Sequence, residues 1–376
     1  MNRDTLIGNS GHRVMGSPRR VEIDLTSRCN LRCRYCYFYD HPEIPYKDLP
    51  ATEWRRFFSE LGDLAVLNVV LAGGEPFLRQ DLPAIITGIV RNRMRYALLS
   101  NGTLISRDTA AFIARTGHCD YVQVSIDGSG PRAHDAGREA GSFQAAVRGI
   151  RILQEQGIRV TARVTIHRHN LHDLEATVKL LLDRLGLETV GTNSVEYLGT
   201  GRRNSRELML NTRDRQEAME TLQKLRRKYR GRIVASAGPL YDLRTWTRME
   251  AARAAGAPPF SRGGRLTACG SPFNKIAVRS DGVIIPCSLL PHVELGRINQ
   301  DALKDIWLSH PELNALRQRR EIPLDRFEFC SGCEYLPYCT GNCPASACNR
   351  TGKIDHPNPD ACLRRYLESG GQIPQL

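Results

Sequence analysis

The sequence has no apolar run near the roughly 20 residues that a bilayer-spanning helix requires, which argues against a membrane protein. The opening MNRDTLIGNSGHRVMGSPRR lacks the apolar core of a signal peptide, so residues 1–20 read as a flexible or strap-like lead-in and the expected location is cytoplasmic. Acidic residues are in deficit: 40 Asp and Glu stand against 53 Lys and Arg, a formal net charge of +13. An excess of that sign is compatible with nucleic acid, with an acidic peptide partner or with a plain solvated surface. Much of it lies between Arg202 and Arg232, where Leu210, Ala218, Leu222 and Leu225 make a rough helical stripe, so it reads as an exposed helix face rather than a docking groove. With 41% apolar and 25% charged residues the composition is that of a globular protein, and 376 residues give room for about two domains.

What the chain has in quantity is cysteine, 12 residues. Without a secretion signal these argue against a disulfide framework, because the cytosol keeps thiols reduced and cysteine clusters there bind metal or do chemistry. Cys29, Cys33 and Cys36 stand in the spacing C-x3-C-x2-C directly after an alternating run, residues 21–25, that reads as a strand. Three thiolates hold three irons of a cubane 4Fe–4S cluster whose full complement is four cysteines, so this spacing leaves one iron open to a substrate or cofactor. The competing readings are a zinc site, which as a structural site takes four protein ligands, or three unrelated buried thiols.

The triplet, with the aromatic Tyr35 before its last cysteine, resembles the signature of the radical S-adenosylmethionine (SAM) enzymes. The resemblance implies that SAM chelates the open iron, that one electron cleaves it to methionine and a 5′-deoxyadenosyl radical, and that this radical takes a hydrogen atom from the substrate. Cys29, Cys33 and Cys36 are then the catalytic residues.

Downstream, apolar strand patterns near 66–72, 96–100, 121–126, 160–166 and 190–197 alternate with helical patterns near 82–93, 106–115, 142–156, 172–185 and 212–229. Such alternation implies parallel βα units, and in these folds the loops after the strands gather on one edge, where active sites are built. The loops SRCN, GGEP, SNGT, IDGSG and IHRHN all fall there. Six units match the partial (β/α)6 TIM-type barrel of the radical SAM family, expected over residues 21–235.

Gly73, Gly74 and Glu75 follow the second strand; glycines admit close backbone approach and a carboxylate can accept hydrogen bonds from an ammonium group. On its own the stretch is equally a turn. One strand after the triplet it resembles the family's GGEP motif, which implies binding of the SAM amino group. Ser125 and Asp127, in SIDG, resemble the segment near the SAM ribose and carboxylate, and Arg138 stands where relatives carry an arginine that pairs with that carboxylate; the plain alternatives are a turn and a surface cation. Ser100 and Asn101 are further ribose candidates, with a helix cap as the equal alternative. His167 and His169 carry no assigned role.

The Pro- and Gly-rich stretch 256–265 reads as a linker, set within an interval 236–265 that separates the barrel from residues 266–376. Beyond it, AVRSDGVIIPC reads as a hairpin turning at Asp281 and Gly282, and Cys269, Cys287, Cys330, Cys333, Cys339, Cys343 and Cys362 follow one another. Thiols at that density call for metal, with one or two zinc sites as the competing reading. The pattern C-x12-G-x4-C, then C-x2-C-x5-C-x3-C, then a distant cysteine resembles the SPASM extension of radical SAM proteins. That resemblance implies two auxiliary Fe–S clusters: one on Cys330, Cys333, Cys339 and Cys362, and one nearer the active site on Cys269, Cys287 and Cys343. The fourth position of the second is an open iron, a non-cysteine ligand or Cys348, while Cys119 reads as a small buried residue.

The expected fold is therefore α/β, a partial barrel followed by a small cysteine-rich SPASM domain. The expected activity is radical modification of a ribosomally made precursor peptide, by crosslink, epimerisation or oxidation. A sulfatase-maturing type of side-chain oxidase, a tetrapyrrole-like small-molecule oxidase and, remotely, a non-enzymatic RNA-binding Fe–S protein are the alternatives. Because only about 20 residues precede the first strand, any leader peptide is expected to be held by a separate protein. An electron donor such as flavodoxin or ferredoxin is the further expected partner, with no membrane and no nucleic acid.

Overall fold

The computed structural model describes residues 5–7, 13–38, 46–267 and 269–374, with side chains described from Val14 onward. The lead-in, of which residues 1–4 and 8–12 lie outside the described residues, pairs β1 (Thr5–Ile7) with β2 (Arg13–Met15) as an antiparallel hairpin. In β3 (Arg20–Thr26), Val21, Ile23 and Leu25 are fully buried and alternate with Glu22, Asp24 and Thr26, so one strand face packs against helices and the other lines the interior.

Parallel neighbours then follow in chain order: β4 (Asn68–Gly73), β5 (Arg95–Ser100), β6 (Cys119–Ser125), β7 (Val160–Ile166), β8 (Val190–Ser194) and β9 (Ile233–Ala235). Each strand is returned by a helix that buries an apolar stripe on the outer face; Ala51–Asp63 puts down Trp54, Phe57, Phe58 and Leu61 with no exposure. That arrangement collects every strand C-terminus on one rim. The six expected strands are present. Strand β9 goes beyond them: three residues around the exposed Val234 are too short to declare a period.

Two intervals differ from the sequence expectation. Within 236–265, Pro239–Ala254 forms a helix that buries Leu240, Leu243, Trp246 and Met249, so the linker is confined to the Pro- and Gly-rich stretch after it. The 172–185 helix divides into a 3-10 turn Leu171–Asp173, a helix Leu174–Lys179 and a π-helical segment Leu180–Arg184.

The cysteine-rich part is continuous with the barrel. β10 (Lys275–Val278) pairs in parallel with β3, Lys275 opposite Arg20 and Val278 opposite Ile23; β11 (Val283–Ile285) and β12 (Gly296–Arg297) extend the edge antiparallel. Gly282, at φ 87°, makes the expected turn. Glu60 of the first barrel helix accepts the Leu303 N–H at 2.7 Å, and the buried Trp307 indole donates to the Met15 carbonyl at 2.7 Å, so the helix Leu303–Ser309 is tied to the barrel and to the lead-in strand. Among the described residues no helix is long and apolar enough to cross a membrane.

Candidate active site

The loop after β3 is built before any ligand arrives. Asp48 clamps its start: one carboxylate oxygen accepts the Ser27 N–H at 2.7 Å, the other the Thr26 hydroxyl at 2.5 Å and the Arg28 Nε–H at 3.2 Å. From the next strand, Gly74 and Glu75 donate their N–H groups to the carbonyls of Thr26 (2.8 Å) and Arg28 (2.9 Å). Thr200 holds the far end, its N–H on the Cys36 carbonyl at 2.9 Å and its hydroxyl on that of Cys33 at 2.9 Å.

Gly73 sits at φ 110°, and a Cβ there would stand 2.5 Å from the Thr26 carbonyl oxygen. The glycine is thus required by the neighbouring strand and not only by a ligand. Gly73→Ala is expected to lower stability by about 2 kcal/mol or more and to loosen the cysteine loop. Denaturant unfolding monitored by circular dichroism checks this, and an unchanged midpoint would contradict it.

Inside this frame Cys29, Cys33 and Cys36 are mutually close enough for their charges to interact. Burial pushes the Cys33 thiol up to about 12 and the Cys29 thiol above its ordinary value, so neither would ionise unaided near neutrality. Donors are nevertheless aimed at the sulfurs: the Leu31 N–H at 3.4 Å and the Asn101 amide at 3.7 Å on Cys29, and the Arg138 guanidinium at 3.8 Å on Cys33. Buried sulfurs surrounded by donors fit thiolates compensated by iron. Among the described residues no three His, Cys, Asp or Glu side chains close around a point as one mononuclear ion would need.

Glu75 is fully buried and accepts from the Ser100 hydroxyl (2.9 Å), the Phe77 N–H (3.1 Å) and the Asn101 N–H (2.7 Å). Burial pushes its carboxyl up to about 7, against which the Asn101 and Phe77 N–H groups pull. Ser100 also accepts the Gly102 N–H at 2.8 Å, so it serves as a turn cap as well.

Asp127 is also fully enclosed: one oxygen takes the Thr165 N–H at 2.7 Å, while the other takes the Tyr35 hydroxyl and the Arg138 Nε–H, the latter at 2.5 Å. Despite its burial the carboxyl is held below the usual range by the charges of Arg138 and His134. Arg138 is thereby fixed over the Tyr35 ring, at 5.7 Å from its centre, and pointed at Cys33. Asp127 therefore reaches this site through Arg138 and Tyr35. His167, whose ring lies 5.1 Å from that of Tyr35, belongs to the same packing.

A cavity of about 410 Å³ opens over this constellation, with Cys29, Cys33, Cys36, Gly73, Ser125 and Arg138 in its wall. A second, of about 390 Å³, is lined by Cys269, Lys275 and Cys343. The two adjoin, with Ser194, Val195, Glu196, Ser236 and Ala237 in the walls of both.

Cys330, Cys333, Cys339 and Cys362 line one small cavity and influence one another's charge, and burial pushes Cys330 up to about 12 and Cys339 up to about 11. Cys269 and Cys287 each interact with Cys343, with the Lys275 ammonium beside both and anchored to Glu22 at 2.7 Å. The Cys348 sulfur faces His292 Nε2 at 3.9 Å. Cys119 packs against the main core. Asp48, Thr200 and Lys275 escaped sequence reasoning, since a lone Asp, Thr or Lys has no spacing to mark it.

The radical SAM superfamily model matches residues 23–181 and the SPASM iron–sulfur cluster-binding domain matches residues 269–334, together more than half the chain. The chain belongs to the radical SAM superfamily and carries a C-terminal SPASM domain. Such a barrel implies SAM and a 4Fe–4S cluster, and such an extension binds auxiliary clusters; the soft, buried, donor-rich sulfurs fit both.

Among its relatives, the chain is 27% identical over 354 residues to the PqqA peptide cyclase of Granulibacter bethesdensis, covering 92% of this chain and 87% of that protein. It is 29% identical over 368 residues to the pre-heme d1 synthase of Dinoroseobacter shibae, covering 94% and 89%. To the subtilosin biosynthesis protein AlbA of Bacillus subtilis it is 24% identical over 337 residues, covering 89% and 69%. In fold it is similar to Streptococcus suis SuiB, solved bound to the precursor peptide SuiA, with a TM-score of 0.71 at 15% identity over 93% of this chain and 77% of that one.

Proposed function

We propose that this radical SAM enzyme modifies a ribosomally synthesised peptide, taking a hydrogen atom from one residue to install a crosslink, an inverted centre or an oxidised side chain. The observation that carries this reading is the pair of adjoining cavities, one walled by the cysteine triplet and the other by Cys269 and Cys343, with Glu196 in both walls, which together offer room for an extended chain. Peptide-directed names among the relatives, PqqA peptide cyclase and the subtilosin protein AlbA, support it.

When bound, the first cluster and SAM supply a 5′-deoxyadenosyl radical. For this, Cys29, Cys33 and Cys36 would hold the cluster. Gly73, Gly74, Glu75, Ser100, Asn101, Ser125 and Arg138 would hold SAM, with Glu75 offering its remaining acceptor capacity to the amino group and Arg138 pairing with the carboxylate. Tyr35 and Asp127 would orient Arg138. Cys330, Cys333, Cys339 and Cys362, and Cys269, Cys287 and Cys343, would hold the auxiliary clusters. A flavodoxin- or ferredoxin-like donor and a separate leader-binding protein in the cytoplasm complete the reading.

The similarity to pre-heme d1 synthase favours a tetrapyrrole as the second candidate. Co-expression with short peptides encoded beside the gene, followed by mass spectrometry and chiral amino-acid analysis, is expected to give a peptide that has lost hydrogen or gained an inverted centre. Unchanged peptides together with consumption of an iron porphyrin by the reduced enzyme would instead establish the tetrapyrrole reading.

A further inference from the structure

The barrel floor carries a cation that the SAM chemistry leaves unused. In β7, Ala162 and Val164 point into the packed layer and Arg163 points into the cavity. Its Nε–H donates to the Gln123 side-chain carbonyl at 3.2 Å, and among the described residues it makes no ion pair with a carboxylate. Gly191, directly across on β8, is what gives it room: a Cβ there would lie 3.3 Å from the guanidinium. Asn193 lines the same cavity; its buried side-chain oxygen, an acceptor without a partner among the described residues, calls for a donor and not for an anion.

Other buried arginines are compensated. Arg79 pairs with Asp81, Arg138 with Asp127, Arg215 with Asp242 and Arg279 with Asp281. Arg317, which has no carboxylate partner among the described residues, lies over the Trp307 ring and bonds to Asn314 and the Pro272 carbonyl. Arg163, half-buried in the cavity wall, has neither a counter-charge nor a ring beneath it among the described residues. A desolvated guanidinium without its anion costs free energy, and burial lowers it from the ordinary arginine value. Such a cost is retained where it serves binding. Arg138 is the cation beside the cysteines, whereas the side chain that Arg163 feels is Tyr121, farther back along β6 toward its N-terminal end.

We infer that Arg163, held by Gln123, forms a subsite that receives a carboxylate of the substrate and so sets the depth at which it enters the barrel. The inference rests on the cavity being the substrate site, as proposed above. A carboxylate accepts two parallel N–H donors from arginine, which fixes orientation as well as adding affinity. It is supplied by an acidic side chain of a peptide or by a small carboxylic acid.

The test uses the reconstituted holoenzyme with SAM under anaerobic conditions. Binding of N-acetyl-Gly-Glu-Gly-amide, the matching Gln peptide and glutarate is measured by saturation-transfer NMR on the wild type, Arg163→Gln and Arg163→Lys. The wild type is expected to prefer the Glu peptide over the Gln peptide by about tenfold or more. Arg163→Gln should lose that preference and Arg163→Lys should keep part of it, both with unchanged SAM affinity and a melting temperature no lower than wild type. No preference in the wild type, or a preference that survives in Arg163→Gln, would overturn the inference. Weakened SAM binding in that variant would assign Arg163 to the cofactor, and a fall of several degrees in melting temperature in both variants would make it a structural residue; either result also overturns it. Capture of glutarate but of neither peptide, lost in Arg163→Gln, would uphold the subsite and count against the peptide reading alone.

Discussion

Replacing Cys29, Cys33 and Cys36 together with Ala is expected to bring dithionite-driven 5′-deoxyadenosine formation down to background while leaving about eight irons per chain on the second and third cysteine sets. The expectation follows from separation in the fold. The triplet sits on the loop after β3, whereas Cys330, Cys333, Cys339 and Cys362 gather in their own cavity, and Cys269 and Cys343, with which Cys287 interacts, line the adjoining one. Folding should survive the triple change, because Asp48, Gly74, Glu75 and Thr200 hold that loop through main-chain groups and not through sulfur. Iron analysis and product chromatography decide the matter; undiminished deoxyadenosine from the variant would refute the assignment of the radical site.

The second large effect is expected at Asp127. Its carboxylate is the counter-charge of Arg138, whose side chain is nearly as buried as its own. Asp127→Ala therefore leaves an enclosed guanidinium unpaired and also strips the Tyr35 hydroxyl and the Thr165 N–H of their acceptor. Breaking a buried pair from one side costs about 3–5 kcal/mol, which in a chain of this size is a fall of roughly 4–6 °C in melting temperature. Adding Arg138→Gln to that variant should restore part of the loss, the coupling expected of a direct pair.

The pH dependence has a definite sign. Asp127 is held below its ordinary value in the folded state, so its contribution is present above the carboxylate range of an unfolded chain and is lost as pH falls through the depressed folded value. The acid limb of the wild-type stability curve should therefore flatten in the Asp127→Ala, Arg138→Gln double variant. An identical limb in both proteins would show that the pair contributes no such linkage.

Much of this site could be read before any coordinates. C-x3-C-x2-C, GGEP and the later cysteine spacings are local facts of the chain, and a thiol's metal chemistry survives translation from sequence to space. The βα alternation was equally plain, because helix and strand periods differ and each strand carried apolar residues on the helix-packed side. Short or hidden features were not. β9 has three residues, and the 239–254 helix shares its interval with a stretch rich in Pro and Gly. Neither the hold of Asp48 on Ser27 nor the use of Gly73 to clear the Thr26 carbonyl has a sequence signal, since both partners meet only across adjacent elements.

The sequence alone determined the kind of chemistry: which sulfurs are present, in what groups, and on which loops of a parallel α/β chain. Tertiary structure decided the circumstances of each group. It joined the cysteine-rich hairpin to the barrel through β3, brought Cys348 against His292, and gave Asp127 to Arg138 while leaving Arg163 without a counter-charge among the described residues. The reason is physical: donor type and spacing are written along the chain, but burial and charge pairing depend on residues far apart in it, and these set how strongly each group is driven to find a partner.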